Sequence, residues 1–213
     1  MATQERIDLR KRKLQNQRQP VQQRSRQRRE EILLATATLL EQVGFDGLTT
    51  TLVAKEMGIS VGSLYHYFPH KQAILHAMGE HWLQEYSAAL ERMRTADLEH
   101  LELSQFAELA VAELLEVYKH QRGMLPLVQA MYAVPELRDL DAQHDDLVIR
   151  EMAAMFARIG LSSGKTERER LARLWLEMTH SMLLSIVEQA GGRASKSRAD
   201  LVNLCQALLV NYI

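Results

Sequence analysis

Residues 58–75, GISVGSLYHYFPHKQAIL, decide how this sequence is interpreted. The segment opens with a glycine, places four ring-bearing side chains at positions 65–68, and is interrupted by Pro69. Ser60 is a good helix cap, because its hydroxyl oxygen can accept a free backbone N–H of the first turn. We therefore predict a short helix from Ser60 to about Phe68, which ends there because proline cannot donate the next hydrogen bond.

Two further helices are predicted before this one. An amphipathic helix begins near Ser25 and ends at Gly44, and its apolar face is formed by Ile32, Ala35, Leu39 and Val43. A second short helix is capped by Thr49 or Thr50 and ends at Gly58, where glycine adopts a left-handed conformation at low cost. Two short helices joined by a tight turn, with an earlier helix bracing them, indicate a helix-turn-helix, whose second short helix enters the major groove of DNA.

The residue types on the outer side of the predicted recognition helix suit DNA. Small residues at its start, Val61 to Ser63, let the backbone approach the base edges. Tyr65, His66 and Tyr67 offer donors to phosphate oxygens on stiff rings, whereas Phe68 belongs to a small core. Lys71 follows in the first turn of a fourth helix, where its charge adds to the anion-attracting helix N-terminus.

Residues 28–75 resemble the DNA-binding domain of the tetracycline-repressor (TetR) family. The resemblance is carried by Glu41-Gln42-Val43-Gly44-Phe45, Leu48-Thr49-Thr50, Val53-Ala54, Met57-Gly58-Ile59-Ser60, Gly62-Ser63-Leu64-Tyr65-His66-Tyr67-Phe68 and Lys71. It implies an all-α fold, with an N-terminal three-helix DNA-binding domain and a larger helical domain that binds a small molecule and dimerises. It also implies a homodimer on double-stranded operator DNA.

The resemblance assigns roles by position. Phosphate contacts fall to Thr50, Ser63, His66, Tyr67 and Lys71. The residues nearest the bases are Val61, Gly62 and Tyr65, and the predicted DNA-binding set is completed by Thr49, Thr51 and Ser60. Thr51 stands where some members place a long basic residue, so direct base readout is expected to be modest, and the basic N-terminal segment is a candidate to compensate.

Composition and charge limit the other possibilities. The chain has 213 residues, only 4 prolines and a single cysteine, Cys205, which suits a helical protein of the reducing cytoplasm. No apolar run approaches the length of a membrane span, so no membrane partner is expected. Residues 1–30 contain 10 Lys/Arg and 3 Asp/Glu, which indicates contact with a polyanion. A basic solubilising tail is the alternative explanation.

The predicted domains are a flexible basic arm over residues 1–25, the DNA-binding domain over 26–80, and an effector-binding and dimerisation domain over 81–213. The predicted later helices lie near 104–120, 124–134, 136–159, 166–190 and 197–213, with breaks at glycine or proline.

Aromatic and methionine side chains of the C-terminal domain are candidates to line an effector pocket. The predicted pocket residues are Trp82, Tyr86, Met124, Met131, Tyr132, His144, Met152, Phe156, Trp175 and Met178. His180 is a second polar candidate. Ordinary core packing is the alternative for each residue singly. As a group they favour an apolar or aromatic effector.

The last two helices have wide apolar faces that a lone subunit would struggle to cover. The predicted dimer interface comprises Leu171, Leu174, Met182, Ile186, Leu201, Leu204 and Leu208. Completion of the subunit's own core is the alternative. Together these features predict a ligand-responsive repressor that leaves a palindromic operator when its effector binds.

Two rival functions and a metal site are weaker interpretations. Residues 58–62 match the hydrolase elbow G-x-S-x-G through Ser60, but that elbow needs a strand before its serine, and a helix is predicted there. A DNA-binding architectural protein without an effector is the other alternative. Two groups are candidate metal ligands: the histidines at 66, 70, 76 and 81, and Asp141, His144, Asp145 and Asp146. Solvated polar helix ends explain both groups more simply, so neither a metal nor a cofactor is expected.

Overall fold

The computed structural model describes residues 2–120 and 123–213, without the side chains of residues 2–21 and of Met124, Leu125, Gln129, Tyr132, Ala133 and Glu136. Throughout this part of the chain the regular elements are helices, and strands are absent, so the predicted all-α fold is confirmed. The chain divides into two compact units, Met1–Ile74 and Leu75–Ile213. The sequence places this boundary after residue 80.

The N-terminal unit contains three helices and the start of a fourth. They are α1 (Ala2–Gly47), α2 (Thr50–Glu56), α3 (Val61–Tyr67) and α4 (Lys71–Thr95). α1 is interrupted at Gly44, whose φ of 68° is left-handed, as the sequence predicts for the end of this helix. α1 begins well before Ser25, where the sequence places its start. The side chains of the predicted flexible arm lie mostly outside the described part of the structure, and its flexibility stays a prediction.

The core of the N-terminal unit is small and apolar. Ile32 and Leu40 of α1 pack with Val53 of α2 and Leu64 of α3, and each is no more than 1% exposed. Val43, predicted to lie on the buried face of α1, is instead 41% exposed, because the kink at Gly44 ends the helical register.

The C-terminal unit is built from the rest of α4 and five further helices, each longer than α2 and α3. These are α5 (Leu103–Lys119), α6 (Met124–Ala133), α7 (Pro135–Arg158), α8 (Lys165–Val187) and α9 (Gly191–Leu209), with single 3-10 turns at Leu98–His100 and Val210–Tyr212. α5, α7, α8 and α9 pack against one another through apolar faces. The helix predicted from Ser197 begins earlier, at Gly191, and only residues 188–190 separate it from the end of α8 at Val187.

Candidate functional site

Thr49 and Thr50 connect the first helix of the helix-turn-helix to its surroundings. Thr49 caps α2 by accepting a hydrogen bond of 3.1 Å from the backbone N–H of Leu52. The Thr50 hydroxyl lies 3.3 Å from the Tyr65 hydroxyl, which ties α2 to α3 across the turn. Thr51 is exposed on α2. The Thr50–Tyr65 contact therefore connects the two short helices through exposed polar side chains.

The start of α3 is shaped by small residues. Gly58 has a φ of 63°, which allows the tight turn between the helices. Ser60 caps α3 by accepting from the backbone N–H of Ser63 at 3.0 Å, and the two serine hydroxyls are 2.8 Å apart. Gly62 is exposed and Val61 half-buried. This end of α3 presents backbone and hydroxyl groups without bulk, as close approach to base edges requires.

The four ring-bearing residues at the end of α3 separate into two roles. Phe68 is 1% exposed and belongs to the core, whereas Tyr65 is 48% exposed. His66 is exposed and meets Tyr67 edge to face, with 5.4 Å between ring centroids. One ring therefore anchors the helix, and the other three remain at the surface as candidate phosphate contacts.

Lys71 is tied to α1 rather than extended into solvent. Its Nζ donates a hydrogen bond of 3.1 Å to the carbonyl oxygen of Phe45 and lies 4.1 Å from the centroid of the Phe45 ring. An ammonium group has three donors, so two remain for a phosphate oxygen. The phosphate contact of Lys71 stays a prediction, and in the structure Lys71 also connects the start of α4 to α1.

In the C-terminal unit, five of the predicted pocket residues and the candidate His180 lie in two ring clusters, together with Tyr118 and Phe106, which were not predicted. We call the first the histidine cluster, comprising Trp82, Tyr86, Tyr118, His144 and His180. Within it the His144 ring centroid is 4.7 Å from that of Tyr86 and 5.1 Å from that of Trp82. The second cluster comprises Phe106, Phe156 and Trp175, with centroids 5.5–6.1 Å apart.

The other predicted pocket residues are placed less centrally. Met131 and Met152 are each 1% exposed, so they are packed in the core. Met178 is half-buried. The side chains of Met124 and Tyr132 lie outside the described part of the structure.

Three nitrogens of the histidine cluster are buried without a hydrogen-bond partner among the described residues. They are Nδ1 and Nε2 of His144 and Nε1 of Trp82. His144 is 4% exposed, and burial, aided by nearby His180, lowers its pKa to about 4, so the ring is neutral at pH 7. A neutral imidazole has one donor and one acceptor. The cluster therefore offers two buried donors and one acceptor between aromatic rings.

His180 and Tyr118 are paired, in contrast to His144. The Tyr118 hydroxyl lies 2.5 Å from Nδ1 of His180, and the two residues are 62 positions apart in sequence. Burial lowers the pKa of His180. Tyr118 is not among the predicted pocket residues, although the buried positions Leu114, Leu115 and Tyr118 on α5 follow a detectable helical period.

Half-buried carboxylates lie beside the histidine cluster on α7. Burial, together with the nearby charges of Asp141 and Glu177, raises the pKa of Asp145 to about 6. Arg173 acts in the opposite direction, with 3.8 Å between its Nη1 and Oδ2 of Asp145. Burial also raises the pKa of Asp141. Negative charge beside the cluster opposes the entry of an anion.

Family models match both units of the chain. The model described as "Bacterial regulatory proteins, tetR family" matches residues 32–78. The model described as "Tetracyclin repressor-like, C-terminal domain" matches residues 102–212, which is more than half of the chain. The chain belongs to the TetR family. It is a DNA-binding transcriptional regulator of the repressor type, and not an enzyme.

Curated relatives match part of this TetR-family regulator. The HTH-type transcriptional regulator BetI of Ectopseudomonas mendocina is 35% identical over 69 residues, covering 32% of this chain and 35% of the relative. The class A tetracycline repressor protein of transposon 1721 from Escherichia coli is 41% identical over 54 residues, 25% of each chain. The match thus spans about a third or less of these relatives' length.

Solved structures resemble most of the regulator in fold. The TetR-family regulator PfmR of Thermus thermophilus superposes with a TM-score of 0.61 at 22% identity, covering 83% of this chain and 97% of that one. A TetR-family regulator from Marinobacter aquaeolei gives a TM-score of 0.65 at 15% identity, covering 87% and 90%.

The described residues of the regulator do not form the arrangement that a serine hydrolase or a metal site requires. Ser60 follows helix α2 rather than a strand, and its hydroxyl serves as a helix cap. No cluster of three or more His, Cys, Asp or Glu side chains with metal-binding geometry occurs within residues 2–120 and 123–213 as described. Among the same residues, none of the helices has the length and apolar character of a membrane span.

Three of the predicted dimer-interface residues require correction. Leu171, Ile186 and Leu201 are at most 4% exposed in the single chain, because they pack in the core between α8, α9 and their neighbours. They cannot offer surface to a second subunit. Leu174 and Leu204 are 43% and 45% exposed, and Met182 and Leu208 are partly exposed. These four form what we call the apolar stripe of α8 and α9.

Proposed function

We propose that this regulator is released from a palindromic operator when an uncharged aromatic effector, bearing a hydroxyl or carbonyl group, enters the histidine cluster. The observation that carries the proposal is the set of unpartnered nitrogens of His144 and Trp82, buried between aromatic rings. Unmet buried polar groups each cost about 1–3 kcal/mol, so a stable protein retains them where they are used. The proposed site of action is the cytoplasm, on the cell's own DNA.

The chemistry of the cluster selects the effector class. Neutral His144 offers one donor and one acceptor, and Trp82 offers a donor, which together match a hydroxyl beside a carbonyl. Trp82 and Tyr86 supply flat faces for an aromatic ring. Asp141 and Asp145 oppose a carboxylate or phosphate. An uncharged ring with polar substituents satisfies all of these groups.

The release mechanism is thermodynamic linkage. In a dimer the two recognition helices must reach successive major grooves, about 34–36 Å apart. An effector that favours another subunit arrangement by about 1–3 kcal/mol lowers operator affinity roughly 5- to 150-fold. α4 carries both Lys71, next to the recognition helix, and Trp82 of the histidine cluster, so it is the proposed connection.

The dimer in this proposal uses the apolar stripe of α8 and α9. Leu174 and Met182 are eight residues apart on α8, and Leu204 and Leu208 are four apart on α9, which places each pair on one side of its helix. Changing Leu174 and Leu204 together to arginine is expected to give monomers in analytical ultracentrifugation. Leu34→Arg is the matched control, since Leu34 is also apolar and 63% exposed. Retention of the dimer by the double variant would contradict this interface.

DNA binding is tested by fluorescence anisotropy with the protein's own upstream DNA and a random duplex. Tight binding to the upstream DNA alone, with a steep dependence on salt, is expected. Equal affinity for both duplexes would favour the architectural alternative. Absence of binding to either duplex at low salt would contradict the function.

The effector class is tested with four probes of similar size: 4-hydroxyacetophenone, 4-hydroxybenzoate, tyramine and 4-ethyltoluene. Only uncharged, hydrogen-bonding 4-hydroxyacetophenone is expected to raise Tm and lower operator affinity, because binding to the folded state stabilises it. His144→Phe keeps a ring and removes both nitrogens, so it should abolish this response. Equal binding of the anion, binding unchanged in His144→Phe, or no response to 4-hydroxyacetophenone would contradict the assignment.

A further inference from the structure

An open groove of about 610 Å³ lies in the N-terminal unit beside the end of α3. α1 contributes Arg24, Ser25, Arg28 and Glu31 to its wall, and α3 contributes His66 and Tyr67. The groove is therefore continuous with the exposed surface of the recognition helix, but its charged groups come from α1. The charge of residues 1–30 indicates a polyanion partner, but neither the family resemblance nor a motif assigns a contact to individual residues in this part of α1.

Arg29 holds the groove in shape. Its Nη1 donates a hydrogen bond of 3.1 Å to the carbonyl oxygen of Tyr67, and its guanidinium lies 4.4 Å from the centroid of the Phe68 ring. These contacts join α1 to the end of α3 between residues 38 positions apart. Arg29 is thus used in bracing, whereas its neighbours of the same charge face the groove.

The two groove arginines are differently engaged. Arg28 forms an ion pair with Glu31, with 3.0 Å between Nη1 and Oε2, and both side chains are 43% exposed. Arg24 is exposed and has no ion pair or hydrogen bond to the side chains described from residue 22 onward. Being four residues apart, Arg24 and Arg28 lie on one side of α1. The groove thus offers one free guanidinium and one that Glu31 partly neutralises.

We infer that this groove is a phosphate clamp, in which Arg24 and Arg28 bind a backbone phosphate of the operator beside the phosphates expected at His66 and Tyr67. The inference deepens the DNA-binding function and rests on it. A guanidinium presents several fixed donors that match phosphate oxygens, and imidazole and phenol groups add further donors. Such contacts carry no base sequence, so the clamp raises affinity for all DNA and leaves base readout to α3.

The clamp has consequences for charge. Each phosphate neutralised on binding lowers the slope of log K against log salt by about 0.9 for duplex DNA. Arg24 is expected to neutralise one phosphate and so to contribute fully to this slope. Arg28 supplies less while it remains paired with Glu31, so removal of the Glu31 charge frees it for DNA.

The test compares Arg24→Ala, Arg28→Ala and Arg26→Ala in anisotropy titrations over a salt series, with upstream and random duplexes. Arg26 is exposed on the same helix, about 200° around the helix axis from Arg24. The Arg26→Ala substitution therefore removes the same charge from another face of α1 and serves as the control. Arg24→Ala is expected to reduce the magnitude of the salt slope by about 1 on both duplexes, and Arg28→Ala by less. Arg26→Ala should leave the slope unchanged, and Glu31→Gln should strengthen binding. Circular dichroism verifies that each variant is folded.

Three results would overturn the clamp. An equal loss of slope in Arg26→Ala would mean that any charge on this helix acts alike. Unchanged slopes in Arg24→Ala and Arg28→Ala, while the wild type binds, would exclude the groove as a contact. Saturable binding of inorganic phosphate that is lost in Arg24→Ala, while the salt slope of DNA binding in that variant is unchanged, would make the groove a small-anion site and exclude it as a DNA contact. Failure of the wild type to bind either duplex would instead contradict the DNA-binding function itself.

Discussion

The two units of this regulator use their polar side chains in opposite ways. In the DNA-binding unit Thr49, Thr50, Ser60 and Ser63 are at or near the surface, and each hydrogen-bonds to a neighbour in α2 or α3. In the C-terminal unit His144 is buried among aromatic rings, and both of its ring nitrogens lack a partner among the described residues.

The contrast corresponds to the two roles proposed for these units, positioning of the DNA-binding residues and recognition of an effector. Capped and paired hydroxyls fix two helices of only seven residues each, which would be unstable alone, so that their outer side chains are presented in one arrangement. Unpartnered buried nitrogens store an unfavourable free energy that a ligand can relieve. In the proposed linkage between DNA and effector, the first arrangement would present the DNA-binding residues and the second would respond to the ligand. Four tests, described below, can contradict or sharpen this distinction.

The largest expected effect comes from truncating the small core behind the recognition helix. Leu64→Ala should lower the free energy of unfolding by about 2–4 kcal/mol and weaken operator binding, because the Leu64 side chain of α3 is fully buried. Leu183→Ala, at an equally buried position of α8, should cost a similar amount but spare DNA affinity. Urea unfolding and anisotropy give the two quantities. A loss of DNA affinity in folded Leu183→Ala equal to that of Leu64→Ala would break the distinction.

A second test uses pH. His144 has a folded-state pKa of about 4, below its ordinary 6.5, so its contribution to stability is complete above pH 6.5 and falls as pH drops toward 4. The pKa of Asp145 is raised from 3.8 to about 6, so its contribution is greatest below pH 3.8 and is lost as pH rises through 6. The two contributions oppose each other between pH 4 and 6.

Single variants separate these contributions. Relative to His144→Leu, the wild type should gain up to about 3 kcal/mol of unfolding free energy between pH 4 and pH 7. Relative to Asp145→Asn, it should change in the opposite direction, with Asp141, Glu177 and Arg173 kept constant. Urea unfolding at several pH values measures both differences. The same sign for both variants would show that the assigned ionisation states are wrong.

The third test concerns the stored free energy itself. His144→Leu should raise the unfolding free energy at pH 7 by about 1–2 kcal/mol, because it removes two buried unpartnered nitrogens. His180→Leu should instead lower it, since His180 is hydrogen-bonded to Tyr118. Thermal and urea unfolding suffice. If His144→Leu were as destabilising as His180→Leu, the histidine cluster would be an ordinary core.

The smallest effect belongs to a helix cap. Ser60→Ala should cost about 1 kcal/mol, because it removes the acceptor for the backbone N–H of Ser63. Ser195→Ala, at an exposed position of α9, should change the unfolding free energy by less than about 0.5 kcal/mol. Equal effects of the two substitutions in urea unfolding would show that the cap of α3 contributes nothing.

The DNA-binding unit could be predicted from the sequence because its determinants are local. Caps at Thr49 and Ser60, the left-handed Gly58 and the stop at Pro69 each act within a few residues, and the helices α2 and α3 follow them closely. Prediction failed where a local pattern is ambiguous. Val43 continues the apolar period of α1, yet the kink one residue later leaves it exposed.

The C-terminal unit depends on contacts between distant segments, and the sequence predicts it less well. Glycine and proline breaks locate its helices, but Tyr118 and His180 meet only because α5 and α8 pack together. Likewise, α8 has apolar residues on more than one side. Periodicity alone cannot say that Leu171 faces the core while Leu174 faces out.

Cys205 has a practical consequence for experiments on this regulator. It is fully buried in α9, and burial raises its pKa to about 12, so the thiol is almost entirely protonated at pH 7. Maleimide and iodoacetamide dyes react with the thiolate. The native chain should therefore be almost unreactive toward them, and a cysteine introduced at exposed Gln22 or Ser195 could be labelled alone, without first removing Cys205.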